Sequence, residues 1–235
     1  MSKQYRNEWK YTSTTGMAEE LMQKTASILV PDSFGIDGRY TVHSMYFDDY
    51  KDTCARENEA GTSRRYKYRI RYYGDNTDFL RFERKEKLDG RCHKDSAILT
   101  REQYDMIMSG DYEALLWSTE NKLLREFATD AMMHYFRPKS VITYDRVAYV
   151  DEATNVRITF DENISVSDET EEFLSGDYLP IPLQSNKMGV IEVKFDEILP
   201  SYIRHIIANS ELVQGAFSKY YFGRIELQSK GRIRK

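Results

Sequence analysis

The stretch that decides the fold reads Arg65-Tyr66-Lys67-Tyr68-Arg69-Ile70-Arg71. In a β-strand, alternate residues point to opposite sides of the sheet. The four positive charges therefore share one face of this strand, whereas Tyr66, Tyr68 and Ile70 share the other. We expect a sheet that packs one apolar face and carries cations on the opposite face.

A Glu-x-Lys motif occurs three times in strand-like sequence. The copies are Glu8-Trp9-Lys10, Glu83-Arg84-Lys85 and Glu192-Val193-Lys194. Because residues two apart share a face of a strand, each copy sets a carboxylate and an ammonium group side by side. Carboxylates placed among so many cations suggest a cavity that holds a polyanion together with a metal ion.

Alternation by itself leaves two arrangements of the charged face open. An antiparallel sheet with one solvated, charged face is common, and alternation alone favours it. The alternative is a sheet closed into a barrel, whose inward face can be polar. Two adjacent strands, 63–73 and 78–88, are heavily cationic without a matching number of acids, and like charges at that density repel each other. A barrel lined by these cations would be stabilised when an anion enters it.

Composition argues against several classes of protein. The chain has 235 residues, of which 38 are acidic and 34 basic, and its net charge of −4 argues against a nucleic-acid partner. No stretch approaches the ~20 apolar residues of a membrane span, and the first residues contain no apolar signal core. Cys54 and Cys92 lack metal-ligand spacing and fit a reducing compartment. We therefore expect a cytoplasmic protein with no transmembrane segment.

The hydrophobic pattern predicts a mostly antiparallel β structure with helices between the strands. Strands are predicted at 5–12, 40–47, 63–73, 78–88, 139–150, 155–164 and 188–195. Helices are predicted at 17–30, within 100–137, near 200–209 and at 216–222, with a short helix or loop at 50–60. The acidic stretch 168–178 is predicted to be a mobile loop and the basic tail 229–235 to be flexible. Since no linker or repeat divides the chain, we expect one domain over residues 1–235.

Short motifs follow one another along nearly the whole chain. They are Arg6-x-Glu8-x-Lys10-Tyr11, Ser44-Met45-Tyr46-Phe47-Asp48, Lys67-Tyr68-Arg69-Ile70-Arg71-Tyr72-Tyr73-Gly74, Phe82-Glu83-Arg84-Lys85, Val141-Ile142-Thr143-Tyr144-Asp145-Arg146-Val147-Ala148-Tyr149, Val156-Arg157-Ile158-Thr159-Phe160-Asp161, Val190-Ile191-Glu192-Val193-Lys194 and Phe217-Ser218-Lys219-Tyr220. Each motif is weak alone, but the ordered set resembles the VTC domain, the catalytic domain of vacuolar transporter chaperone-type polyphosphate polymerases. That family belongs to the CYTH, or triphosphate tunnel metalloenzyme, superfamily.

The resemblance implies an α+β fold in which a closed antiparallel β-barrel forms a tunnel with peripheral helices. It also implies transfer of the ATP γ-phosphate to a growing inorganic polyphosphate chain, with Mn²⁺ or Mg²⁺ as cofactor. The matching positions imply phosphate binding by Lys10, Arg69, Arg71, Lys85, Tyr144, Arg146, Arg157, Lys194, Ser218 and Lys219. The catalytic residues implied among these are Arg69, Arg71, Lys85, Arg146 and Lys219. Glu192 is implied as metal ligand, with Glu8 and Glu83 as supporting acids.

The chemistry of these residue types agrees with the implied roles. Arginine forks match phosphate oxygens in pairs, and a hard divalent ion prefers carboxylate and phosphate oxygens. Phosphoryl transfer chiefly needs positioning and charge neutralisation, without a protein nucleophile. Two alternatives stay open: a metal-dependent triphosphate hydrolase, with water as acceptor, and a non-catalytic polyphosphate- or nucleotide-binding accessory subunit. A separate membrane protein as partner also stays open.

Overall fold

The computed structural model describes residues 3–183, 188–208, 210 and 212–233. The strands are β1 (Arg6–Thr14), β2 (Val30–Pro31), β3 (Arg39–Asp48), β4 (Arg64–Tyr73), β5 (Asn76–Leu88), β6 (Arg91–Leu99), β7 (Arg137–Asp151), β8 (Val156–Ser167), β9 (Ile181–Pro182), β10 (Met188–Phe195) and β11 (Val213–Gln214). The α-helices are α1 (Thr15–Ala26), α2 (Thr53–Glu59), α3 (Arg101–Ser109), α4 (Tyr112–Ser118), α5 (Lys122–His134), α6 (Ser201–Ala208) and α7 (Lys219–Ser229). The predicted α+β class with a large antiparallel sheet is confirmed, and each predicted strand is present.

Eight of the strands form a ring of antiparallel pairs. Their order is β7-β3-β4-β5-β6-β1-β10-β8, and β8 pairs with β7 again. The β7–β8 pairing is long and runs from Val141↔Ser167 to Asp151↔Val156. The β1–β6 pairing is a short seam, in which Arg6 and Asn7 pair with Cys92 and Arg91. Because the pairing returns to its first strand, β4 and β10 lie on opposite sides of the ring.

The apolar face of the ring packs against helices in two clusters. In the larger cluster, Phe127 of α5 is fully buried against Tyr68 of β4 and Phe82 of β5. The Phe82 and Phe127 ring centroids lie 4.7 Å apart. In the smaller cluster, α1 and α6 cover β1, β8 and β10. Burial of each such large side chain contributes about 1.5–3 kcal/mol, so this packing fixes which way the alternating polar residues point.

Helix α7 packs against the polar side of the ring. A Cβ atom at Gly223 would lie 2.6 Å from Ile142 Cδ1 and 3.0 Å from Val166 Cγ2, so a larger residue would require these side chains to shift. Ile142 alternates on β7 with the same face as Tyr144. The body of α7 therefore contacts positions that face the inside of the ring.

The start of α7 is anchored to the end of β3. The Tyr220 ring stacks on Tyr46 with centroids 5.2 Å apart, and its hydroxyl donates a hydrogen bond of 2.7 Å to Asp48. The buried Asp48 also accepts hydrogen bonds from the backbone N–H groups of Cys54 and Ala55 at the start of α2. One carboxylate thus fixes both α2 and α7, and with α7 the residues that precede it.

Strand β6 is absent from the sequence prediction. Apart from Cys92, its apolar residues are the run Ala97, Ile98 and Leu99 at its end, so the strand has no alternating hydrophobic pattern. It forms nonetheless because it pairs with β5 along its whole length. The missed signal was the turn Asp89-Gly90, whose φ angles of 48° and 84° are those of a two-residue hairpin.

The last third of the chain differs from the prediction in two further places. The helix predicted at 216–222 runs from Lys219 to Ser229. The stretch 168–178 is packed: it contains a 3₁₀ turn at Thr170–Glu172, and the carbonyl of the buried Phe173 accepts a hydrogen bond from Tyr72. Arg232 of the basic tail forms ion pairs with Asp168 and Glu169 on this stretch, at 2.9 and 2.7 Å. Residues 234 and 235 lie outside the described residues.

Membrane-spanning helices were not expected from the sequence. Within residues 3–183, 188–208, 210 and 212–233, no helix is long and apolar enough to cross a bilayer.

Candidate functional site

The polar face of the ring lines a cavity with about 1030 Å³ of empty space, part of which is open to solvent. All predicted site residues except Glu83 and Arg157 line it. They are Glu8, Lys10, Arg69, Arg71, Lys85, Tyr144, Arg146, Glu192, Lys194, Ser218 and Lys219. The alternation of β1, β4, β5, β7 and β10 brings these side chains together, and the anchored start of α7 adds Ser218 and Lys219.

Glu83 and Arg157 lie away from the cavity lining. Glu83 is fully buried and accepts hydrogen bonds from Arg69 Nε at 2.7 Å and Lys94 Nζ at 2.8 Å. Arg157 donates a hydrogen bond of 2.7 Å to the Tyr40 hydroxyl and forms an ion pair with Asp32. Glu83 therefore orients the Arg69 side chain without lining the cavity itself. Arg157 links β8 to β3 and to the loop that precedes it.

Glu192 lies at the centre of a cluster of cations. Its Oε1 atom is 3.0 Å from both Lys10 Nζ and Lys219 Nζ. Its Oε2 atom is 3.3 Å from Lys194 Nζ and 3.8 Å from Arg146. Burial acts to raise the pKa of Glu192, but Lys10 and the other cations lower it more, so the pKa lies well below its ordinary value. Glu192 is thus an ionised carboxylate at neutral pH.

Asp161 is a second buried carboxylate that the sequence analysis did not select. It accepts two hydrogen bonds from Arg146, at 2.6 and 2.7 Å, and lies 2.6 Å from Lys219 Nζ. Arg146 and Lys219 are therefore each held between Asp161 and Glu192. The available signal was its place at the end of the motif 156–161, on the same strand face as Arg157.

Glu8 provides a third carboxylate, on β1. Both of its oxygens accept hydrogen bonds from Lys85 Nζ, at 2.8 and 2.7 Å, and Lys194 Nζ lies 3.7 Å away. Burial acts to raise the pKa of Glu8, but Lys85 and Lys10 lower it more, to well below the ordinary range. We call this side of the cavity the acid-paired wall. It consists of Glu8, Lys10, Lys85, Arg146, Asp161, Glu192, Lys194 and Lys219.

Arg69 is paired with Glu83, but the other cavity cations on β4 and the end of β5 have no carboxylate partner among the described residues. Arg71 donates hydrogen bonds to Ser44 Oγ at 2.9 Å and to the Tyr144 hydroxyl at 3.0 Å. Lys67 donates to Asn58 Oδ1 at 3.1 Å and to Ser218 Oγ at 3.0 Å. We call Arg65, Lys67, Arg71 and Lys87 the unpaired row, because none of them has a carboxylate oxygen within 4.0 Å in the part of the chain that the structure describes.

Tyr46 of β3 links β4 to α7 at the cavity. Its hydroxyl accepts a hydrogen bond of 3.0 Å from Arg69, and its ring stacks on Tyr220. Burial acts to raise the pKa of Tyr46, but Arg69 and Arg71 lower it more, so the pKa falls to about 7. The lowered pKa of this phenol reflects the excess positive charge around it. The sequence analysis placed Tyr46 in a motif without giving it a role.

Several other lining residues were not selected from the sequence. They are Tyr46, Asn58, Arg65, Tyr66, Lys67, Lys87, Cys92 and the segment 215–217 with Tyr220. The period-two pattern that placed Arg69 in the cavity also applies to Arg65 and Lys67, and it carried the signal for them. Asn58 carried no signal, because it reaches the cavity from α2.

The family relationship follows from the whole chain. The VTC domain model matches residues 5–227. The chain belongs to the VTC domain family. No curated protein sequence matches it at a significant level.

Solved structures relate this VTC domain to proteins of low sequence identity. It resembles the Hippeastrum protein HpAC1, for which a dominant triphosphatase activity is reported, with a TM-score of 0.58 and 13% identity over 94% of this chain and 95% of that one. It also matches a Bacillus halodurans protein named among the adenylate cyclases, with a TM-score of 0.49 and 12% identity over 88% and 87% of the two chains. Only the match to HpAC1 has a TM-score above 0.5, and at 13% identity it supports a shared fold alone.

The donor set of this VTC domain fits a divalent metal ion that phosphate oxygens help to hold. Among the described residues, no group of three or more His, Cys, Asp or Glu side chains forms a ready metal cluster. Glu192 and Glu8 are the carboxylates that line the cavity. Mg²⁺-like ions are commonly bound by one or two carboxylates together with substrate phosphates, which suits this pair. Glu83 is fully buried and does not line the cavity.

Proposed function

We propose that this VTC domain is an ATP-dependent polyphosphate polymerase, and that the ring of strands acts as a tunnel for the polymer. The observation that supports the proposal is the charge of the cavity. Among the described residues, ten Lys and Arg side chains but only two carboxylates, Glu8 and Glu192, line it. Such an excess of cations favours a ligand with many negative charges, and ATP and polyphosphate both have them.

Tyr144 marks the point where cations from different elements meet. Arg71 donates a hydrogen bond of 3.0 Å to its hydroxyl, while Lys219 Nζ lies 4.7 Å and the Arg146 guanidinium 5.2 Å from the centre of its ring. These cations come from β4, α7 and β7. Groups fixed in this way need no rearrangement as charge develops on a transferring phosphoryl group. We place the γ-phosphate of ATP there.

The proposed reaction needs no protein nucleophile. A terminal oxygen of the polyphosphate chain attacks the γ-phosphorus of ATP, the bond from that phosphorus to the bridging oxygen breaks, and ADP leaves. The attacking oxygen is already ionised, so no strong base is required. Arg69, Arg71 and Arg146 hold the phosphate oxygens in pairs, and Lys219 adds a point charge.

Glu192 and Glu8 are the residues that would hold a divalent ion. When bound, Mn²⁺ or Mg²⁺ supplies charge neutralisation at the phosphates. Lys10 and Lys194 flank Glu192 and keep its carboxylate ionised and oriented toward the cavity.

The test is incubation of the purified chain with ATP, Mn²⁺ or Mg²⁺, and a short polyphosphate primer. Gel electrophoresis measures chain length, and a coupled assay measures ADP. We expect one ADP for each phosphate added to the primer. Absence of both chain growth and ADP with either metal would overturn the proposal.

Triphosphate hydrolysis is the second candidate, because HpAC1, which shares the fold, is reported to have a dominant triphosphatase activity. The same assay separates the two functions. Orthophosphate release without polymer would establish hydrolysis, whereas tight binding without any turnover would indicate an accessory subunit.

A further inference from the structure

Three pairs of like charges face each other across β4 and β5, and one of them is Arg71 with Arg81. Arg65 is paired with Lys87, and Lys67 with Lys85. Like charges directly opposite each other destabilise an antiparallel pair. Lys85 is neutralised by its hydrogen bonds to Glu8, at 2.8 and 2.7 Å. Arg65, Lys67 and Lys87 have no such partner within 4.0 Å among the described residues.

The contacts of these three cations leave their charge unbalanced. Lys67 donates hydrogen bonds only to neutral oxygens, those of Asn58 and Ser218. Arg65 donates to the Thr62 carbonyl oxygen, and Lys87 has no hydrogen-bond partner in the described ranges. Burial lowers the pKa of Lys67 to about 8 and also lowers the pKa of Lys87. All three line the cavity, so an anion that entered it would relieve their repulsion.

The three cations extend a longer row along β4. The row occupies every second position of β4, at Arg65, Lys67, Arg69 and Arg71. From Arg65 to Arg71 it spans about 20 Å, at about 3.3 Å per residue. Arg71 lies at Tyr144, where the proposed function places the transferred phosphate. Lys67 and Arg65 lie toward the opposite end of the row, about 13 and about 20 Å along the strand from Arg71.

We infer that Arg65, Lys67 and Lys87 form a second anion subsite, which binds phosphate units of a linear polyphosphate beyond those held at Arg69 and Arg71. The inference rests on the proposed function and adds where the polymer lies. A linear polyphosphate presents a negative charge at every unit, which matches cations repeated along one strand. Lysine is a point charge without bidentate geometry, and it therefore lets such a chain shift along the row.

Calorimetric binding without metal or turnover tests the subsite. The ligands are inorganic triphosphate, long-chain polyphosphate and a single-stranded oligonucleotide. The variants are Lys67→Gln, Lys87→Gln and, as a matched control, Lys122→Gln, whose side chain on α5 is 90% exposed. We expect each subsite variant to weaken long-chain binding about tenfold, with a much smaller loss for triphosphate and no change in the control.

Three results would overturn the inference: equal losses for both phosphate ligands, unchanged long-chain binding, or a loss confined to the oligonucleotide. Thermal unfolding gives a second readout. Removing Lys67 or Lys87 relieves repulsion, so the ligand-free variants should melt no lower than wild type and gain less on addition of polyphosphate. Lower melting of both ligand-free variants would instead mark the lysines as structural and contradict the subsite.

The outcome separates the subsite from the proposed function. If wild type synthesises polymer while the variants bind long chains normally, the subsite is wrong and the polymerase stands. If wild type makes no polymer but prefers long chains through Lys67 and Lys87, the subsite stands and the polymerase is wrong.

Discussion

The two sides of the cavity hold their cations in opposite ways. On the acid-paired wall, Arg146 and Lys219 are each fixed between Asp161 and Glu192. On the unpaired row, Arg71 and Lys67 donate only to neutral oxygens. Each cation of the wall therefore has a carboxylate partner without a ligand, whereas the row gains its counter-charge from one. We propose that the wall holds the metal and, together with Arg71, the transferred phosphate, whereas Arg65, Lys67 and Lys87 add affinity for a long anion.

The contrast implies opposite consequences of mutation. Removing one partner of a buried ion pair leaves an uncompensated charge and costs about 3–5 kcal/mol of folding stability. Removing a cation that has no counter-charge relieves repulsion and costs binding instead. The following predictions use this difference.

The largest effect is expected for Glu192→Gln on the wall. The neutral amide removes the proposed metal ligand and the counter-charge shared by Lys10 and Lys219. We expect turnover to fall roughly 1000-fold, since bound metal supplies several kcal/mol of charge stabilisation, while polyphosphate still binds at least as tightly. ADP release and calorimetry measure the two quantities. Turnover near the wild-type rate would refute the assignment of Glu192.

Asp161→Asn should reveal the structural cost of the wall. The change leaves Arg146 and Lys219 with one carboxylate fewer, and we expect the free energy of unfolding in urea to fall by about 3–5 kcal/mol. Burial raises the pKa of Asp161, but Arg146 and Lys219 lower it more, to below 3.8. The stabilisation is therefore present at neutral pH and is lost as the pH falls through the folded-state value. Glu126→Gln, in a surface pair, serves as control and should change stability by less than about 1 kcal/mol.

Arg71→Gln tests the unpaired row against its counterpart Arg146→Gln. Loss of a charge-assisted phosphate contact should weaken polyphosphate binding roughly 10- to 100-fold. The free energy of unfolding should change by only about 1 kcal/mol, since no carboxylate is left without a partner. Arg146→Gln should lower stability much more. If both variants lost stability equally, the distinction between wall and row would not hold.

The smallest effect is a pH dependence from the row. Burial lowers the pKa of Lys67 to about 8, so the free side chain loses its proton above that pH. Long-chain affinity should fall as the pH rises past 8, by up to about tenfold per pH unit for each lysine involved. Lys194, whose pKa burial also lowers to about 8, contributes to the wild-type slope. Lys67→Arg keeps its charge and should make the slope shallower; an unchanged slope would exclude Lys67 from the binding site.

Local alternation explains how much of the cavity was predictable. Period two is a property of each strand alone, so the placement of Arg69, Arg71 and Lys85 followed from the sequence. The three Glu-x-Lys copies show the limit. Glu8 and Glu192 line the cavity, but Glu83 lies behind Arg69. Their local sequences are alike, and the difference comes from the strands opposite them in the ring.

Asp161 and Tyr46 were overlooked for the same reason. Asp161 matters because α7 brings Lys219 to it, and Tyr46 because Arg69 and Tyr220 enclose it. These contacts join elements far apart in sequence, which no local pattern contains. Arg157 is the opposite case, because its motif matched but its side chain contacts Tyr40 and Asp32 and does not line the cavity.

The most direct test of the account is a crystal structure of the chain with a non-hydrolysable ATP analogue and Mn²⁺, located by anomalous scattering. We predict a Mn²⁺ peak at the Glu192 carboxylate and the γ-phosphate beside Tyr144, between Arg71 and Lys219. A Mn²⁺ peak away from Glu192, or a triphosphate bound outside the cavity, would contradict it.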